Sequence, residues 1–160
     1  VSSPHPPTPA PQHGAGETFD LQVGLFWSLL LQLVLDGEKR LSAVLHAHDL
    51  TPPQFYVLKT LTEHDGRCAI GQIARLHGLT NPTMSGLVKR LEALGLVART
   101  MNADDRRSVY VTLTDAGSAR YDAVSAELLA KLRDALALIP PDQRAELFTY
   151  LAKYAALIML

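Results

Sequence analysis

The apolar positions of this chain change period between residues 68 and 113, and the change locates its elements. Residues 70–77 and 81–94 carry helical spacing, interrupted by the breaker pair Gly78-Leu79. On a helical wheel, Met84, Leu87, Val88, Leu91 and Leu94 fall on one face of the second segment. The opposite face carries Pro82, Ser85, Gly86, Lys89, Arg90 and Ala93, small and polar at first and cationic later. Gly95 stops this helix. Residues 96–100 and 108–112 then read as strands, joined by the charged, turn-prone segment 101–107. A short helix, a tight turn, a longer helix and a β-hairpin make a helix-turn-helix followed by a wing.

The flanks read as long helices. Over residues 19–48 the polar positions Gly24, Ser28, Gln32 and Asp36 form one narrow seam, and nearly everything else as far as residue 35 is apolar. A helix packed on a single domain needs an apolar stripe of only about a third of its circumference. This one calls for burial on more than one side, which predicts a homodimer. Thr51 caps a second helix through Pro52 and Pro53, with Phe55, Val57, Leu58 and Leu61 inward and Asp65-Gly66 at its end. Residues 68–70 suit a brief strand, Ile73, Ala74 and Leu76 are core candidates, and Thr80 or Asn81 caps the next helix. Thr114 caps a helix over 115–138, with Ala119, Val124, Leu128, Leu132 and Leu136 apolar. Pro140-Pro141-Asp142 starts the last helix, carrying Leu147, Phe148, Leu151, Tyr154, Leu157 and Ile158.

The expected fold is mainly α with a small β-hairpin wing. A winged helix-turn-helix over residues 51–113 is flanked by dimerisation helices at 19–48 and 115–160, all within one domain from residue 19 to 160. Residues 1–18 form a disordered Pro-rich tail, with five prolines in the first eleven positions. The chain opens on Val1 rather than Met, so a trimmed terminus is expected.

Composition narrows the setting. At 160 residues and 48% apolar, the chain suits one globular domain. The apolar run 21–35 spans fifteen residues, short of the roughly eighteen of a membrane span. Glu17 and Asp20 precede it without a basic segment, which makes a poor signal peptide. One cysteine, Cys68, fits a reducing cytoplasm. These features predict a cytoplasmic protein with no membrane partner.

Charge is gathered rather than spread. The net charge is −1, yet residues 67–107 hold seven cations (Arg67, Arg75, Lys89, Arg90, Arg99, Arg106, Arg107) against three anions, a balance of +4. The remainder holds eight basic and thirteen acidic residues, or −5. A cationic segment of this kind suits a phosphate-facing surface. Double-stranded DNA is the predicted partner, met by Thr83, Ser85, Lys89 and Arg90 on the helix and by Asp105, Arg106 and Arg107 at the hairpin. Arginine at a hairpin tip suits a narrow minor groove, and Asp105, two residues ahead of Arg107, can hold that arginine extended. Arg107→Ala is expected to weaken binding to any duplex and to flatten its salt dependence.

Other chemistries find less support. No Gly-x-Ser-x-Gly, Gly-rich phosphate loop or His-Glu-x-x-His occurs, so no enzyme and no cofactor are expected. His46 and His48, two apart on a helix, point about 200° apart and cannot converge on one ion. Cys68 beside Arg67 keeps a redox-responsive regulator open, and a winged helix used for protein contact is the other alternative.

Several stretches together carry a family resemblance. They are Leu50-Thr51-Pro52-Pro53-Gln54-Phe55, Ile73-Ala74, the run from Thr83 to Glu92 with Gly95-Leu96-Val97, Asp105-Arg106-Arg107, and the run from Val111 to Gly117. In combination they resemble the MarR family of bacterial winged-helix regulators, over about residue 19 to the C-terminus. The resemblance implies a triangular homodimer joined by its first and last helices. That dimer binds a near-palindromic duplex and usually acts as a repressor released by a small ligand. It implies Ser85, Lys89 and Arg90 on the recognition helix, Thr83 near its start, and Asp105 and Arg107 as the wing pair. It also implies a cleft for a phenolic or other small aromatic or amphipathic effector, for which Trp27, Phe26, Leu30, His46, Phe55 and Tyr56 are candidates.

Overall fold

The computed structural model describes residues 14–101 and 109–158. Its elements run α1 (Gly14–Ala47), α2 (Pro52–Glu63), β1 (Arg67–Ala69), α3 (Ile70–Leu76), α4 (Asn81–Ala93), β2 (Val97–Met101), β3 (Val109–Leu113), α5 (Asp115–Ala137) and α6 (Pro141–Ile158). This is the mainly helical, winged helix-turn-helix architecture that the pattern predicts. The described chain divides into two compact units, one ending at Arg40 and the other beginning at Leu41.

The first unit is the greater part of α1, which starts ahead of the expected residue 19. The rest of the predicted Pro-rich tail, residues 1–13, lies outside the described residues. Most apolar side chains of this unit, among them Leu21, Leu25, Trp27, Leu29 and Leu33, are exposed. Two seam residues bond each other: the Ser28 hydroxyl donates to the Gly24 carbonyl at 2.9 Å. Lys39 lies 3.7 Å from Asp36. From Thr18 to Ala47 the helix is long and apolar enough to cross a membrane by length and composition. The fifteen-residue run is therefore too short a measure, because the helix continues through residues outside it.

The second unit holds the winged helix. Its sheet has the order β1-β3-β2, antiparallel throughout, with Cys68 opposite Val111 in one pair and Arg99 opposite Val111 in the other. Both predicted hairpin strands sit one residue further along the chain, and β1 completes the sheet. Leu58 and Leu61 of α2, Ile73 of α3, Met84, Val88 and Leu91 of α4, Leu96, Val111, and Val124 of α5 are fully buried together.

Local chemistry sets the helix ends. The Thr51 N–H and hydroxyl both donate to Gln54 Oε1, at 2.8 and 2.9 Å, where α2 begins. Gly95 turns left-handed at φ 71, with the Leu96 N–H donating to the Leu91 carbonyl at 3.0 Å. Two core expectations fail here. Leu94 is 48% exposed because it lies past the last helical residue, where the backbone leaves the wheel. Leu76 is 59% exposed at the open end of seven-residue α3. The apolar positions of α5 divide in the same way. Val124 is buried and Leu128 half-buried against the core, whereas Ala119 and Leu132 are exposed. On α6, Leu147 and Tyr154 are half-buried, and Phe148, Leu151 and Leu157 are exposed.

Candidate nucleic-acid interface

Helix α4 is pinned by one face and open on the other. Met84, Leu87, Val88 and Leu91 are buried, while Thr83, Lys89 and Arg90 are exposed and Ser85 and Gly86 half-buried. Thr80 is the cap: its hydroxyl accepts from the Thr83 N–H at 3.4 Å and lies 2.9 Å from the Thr83 hydroxyl. Thr83 is thus partly occupied in starting the helix. A Cβ built on Gly86 would meet nothing within 4 Å, so the middle of the outer face is low and open. Among the described residues, neither Lys89 nor Arg90 joins an ion pair. Arg90 sits in the last turn, where the helix dipole favours a cation.

The helix before α4 adds to this surface. Arg75 and Asn81 are exposed, and the Asn81 Oδ1 lies 3.7 Å from where a Cβ on Gly71 would stand, with an Arg75 nitrogen at 4.0 Å. A cation and an amide therefore border the start of α4. The sequence counts Arg75 in the cationic segment and offers Asn81 as a cap, but neither stands among the predicted DNA contacts.

Two other cations of the positive segment are occupied. The Arg99 Nε donates to the Glu92 carboxylate at 2.8 Å, tying β2 to α4. That guanidinium holds the Glu92 carboxyl below its ordinary value. The Arg67 guanidinium lies 4.3 Å over the Tyr110 ring, across the β1–β3 pair. The predicted wing-tip residues Asp105, Arg106 and Arg107 lie outside the described residues.

The remaining candidates belong to both units. Trp27 and Leu30 lie in the first unit, and His46, Phe55 and Tyr56 in the second. Phe55 is buried and its ring is stacked on Tyr121 at 5.5 Å between centroids. His46 and Tyr56 are exposed. His48 lies 3.0 Å from the Glu127 carboxylate. The His77 ring lies 2.9 Å from the Thr60 hydroxyl, and burial lowers its affinity for a proton. Cys68 is buried on β1, and burial raises its thiol pKa, which keeps the reactive thiolate scarce. Among the described residues, no group of three or more His, Cys, Asp or Glu side chains could hold a metal ion.

A helix-turn-helix with a strand pair behind it, presenting exposed cations from its second helix, defines a winged-helix protein. Comparison with known proteins agrees. A family model described as MarR family matches residues 48–108. The HTH-type transcriptional repressor MdtR of Bacillus subtilis is 30% identical over 106 residues, 66% of this chain and 68% of that protein. The YusO protein of Bacillus subtilis superposes with a TM-score of 0.74 at 26% identity, covering 84% of this chain and 96% of that one. A point mutant of Staphylococcus aureus MepR, bound to an oligodeoxyribonucleotide, superposes with a TM-score of 0.63 at 24% identity, covering 82% and 97%. The chain belongs to the MarR family. It spans 38 to 68% of the length of four of the curated relatives it matches.

Proposed function

We propose that the protein is a homodimeric, cytoplasmic transcriptional repressor that binds double-stranded DNA through α4 and is released by a small aromatic or amphipathic effector. The observation that carries the DNA half is the outer face of α4. Its Lys89 and Arg90 are exposed and unpaired among the described residues, on a helix whose other face is fixed in the core. Two such helices, about 34–36 Å apart, suit successive major grooves on one side of a duplex. Lys89, Arg90 and Arg75 supply phosphate contacts, and Thr83 and Ser85 are short enough to reach base edges. At the wing, Arg106 and Arg107, with Asp105 beside them, are assigned to the minor groove. The oligonucleotide bound to the MepR mutant supports the same class of partner.

The repressor role is supported by the name of MdtR. The dimer is supported by the exposed apolar surface of α1 and α6, which a second chain would cover. The effector rests on the family resemblance, and Phe26, Trp27, His46 and Tyr56 are its exposed candidates. Burial of Cys68 weighs against redox control and in favour of a ligand.

A gel shift on random-sequence duplex at rising salt tests the DNA reading. Retardation that fades steeply with salt is expected. No salt-sensitive retardation would assign the winged helix to protein contact instead. Adding phenolic compounds to the preformed complex tests release.

A further inference from the structure

The first turn of α5 grips the exit of α4. The Thr114 N–H donates to the Leu96 carbonyl at 3.1 Å. The Thr114 hydroxyl donates to the Gly95 carbonyl at 2.7 Å and accepts from the Gly117 N–H at 3.0 Å. A Cβ on Gly117 would stand 2.0 Å from the Leu96 carbonyl oxygen and 2.9 Å from Leu113 Cδ1. Only glycine lets the two backbones meet this closely.

Further along, α5 stays bound to the head. Tyr121 stacks on Phe55, Val124 is buried, the Arg120 guanidinium donates to the His48 carbonyl, and Glu127 reaches the His48 ring. Beyond Leu128 the next large apolar side chains, Leu129 and Leu132, are exposed. One helix is therefore fastened to the reading head along its first half and carries apolar side chains outward along its second.

We propose that Thr114 and Gly117 are positioning residues that fix the angle at which α4 is presented and so set the half-site spacing the dimer accepts. This rests on the reading of a dimer on duplex DNA. The lever is long: α5 has 23 residues, roughly 35 Å at 1.5 Å per residue. A tilt of about 10° at the grip would displace its far end by roughly 6 Å, nearly two base-pair steps of about 3.4 Å. A loosened grip spreads the distances between the two recognition helices.

The test uses the duplex that the wild-type chain selects from a random pool, with the spacer between half-sites lengthened or shortened by one base pair. The wild type should prefer the selected spacing by about tenfold or more. Thr114→Val removes both hydroxyl hydrogen bonds and should shrink that preference to about threefold, while Thr114→Ser retains it. The salt slope should be the same for all three, because no phosphate contact is lost. Gly117→Ala should narrow the preference as well; if circular dichroism shows it unfolded, Thr114→Val carries the decision. A Thr114→Val chain that keeps the wild-type ratio, or loses affinity equally at every spacing, overturns the proposal. A wild type that selects unpaired half-sites overturns the dimer reading and this inference with it.

Discussion

Among the described cations of the positive segment, Lys89, Arg90 and Arg75 join no ion pair, whereas Arg99 is held by Glu92 and Arg67 lies over Tyr110. A guanidinium paired with a carboxylate has less charge to offer a phosphate, which leaves Lys89 and Arg90 as the cations of α4 to test. Lys89→Ala and Arg90→Ala should each weaken binding to every duplex and lower the salt slope by about one. Their unfolding free energies should stay within about 0.5 kcal/mol of wild type, since both side chains are exposed. Fluorescence anisotropy across a salt series, beside urea unfolding, separates the two effects. The same scale carries a pH dependence. Arg99 lowers the Glu92 pKa below 4.5, and His48 and Lys131 lower that of Glu127. Burial lowers the His77 pKa below 6.5. In each case the unfolded chain takes up the proton first as pH falls. Stability should therefore decline below pH 6.5 through His77 and decline further below 4.5 through the two carboxylates. Glu92→Gln should remove part of the second step and leave the first, as read by urea midpoints across that range.

At the scale of elements, the head depends on the burial of α4 rather than on its exposed residues. Met84→Ala should cost about 2–5 kcal/mol, because it empties a fully buried site. The fraction that remains folded should bind DNA with an unchanged salt slope. Urea unfolding and anisotropy together check both statements. The extent of α4 was legible because its signals agree: Thr80 and Pro82 at one end, Gly95 at the other, and an apolar period between. Leu94 was misread because a wheel assumes helical geometry that the turn at Gly95 has already ended. The fastening at Thr114 was invisible for a different reason. Its hydroxyl bonds a carbonyl nineteen positions earlier, and periodicity reports only local neighbours. The motif around Thr114 to Gly117 was recognisable in the chain, but its close contact appears only once Leu96 is in place. Likewise Phe55 reads first as core and also as a candidate pocket residue, and its packing on Tyr121 is out of reach of periodicity.

For the whole molecule, exposed apolar surface is the dominant unbalanced quantity. Leu25, Leu29 and Leu33 on α1, and Phe148, Leu151 and Leu157 on α6, face outward. A second chain would cover such surfaces and bring two α4 helices to one duplex. Pairing and DNA reading are then a single property, and a measurement that sees both at once bears on it most directly. That measurement is sedimentation equilibrium of the chain with a duplex selected from a random pool, at about 50 and about 200 mM salt. The account predicts two chains per duplex at the lower salt and an affinity about a thousandfold weaker at the higher. A single chain per duplex, or no association at the lower salt, would contradict it.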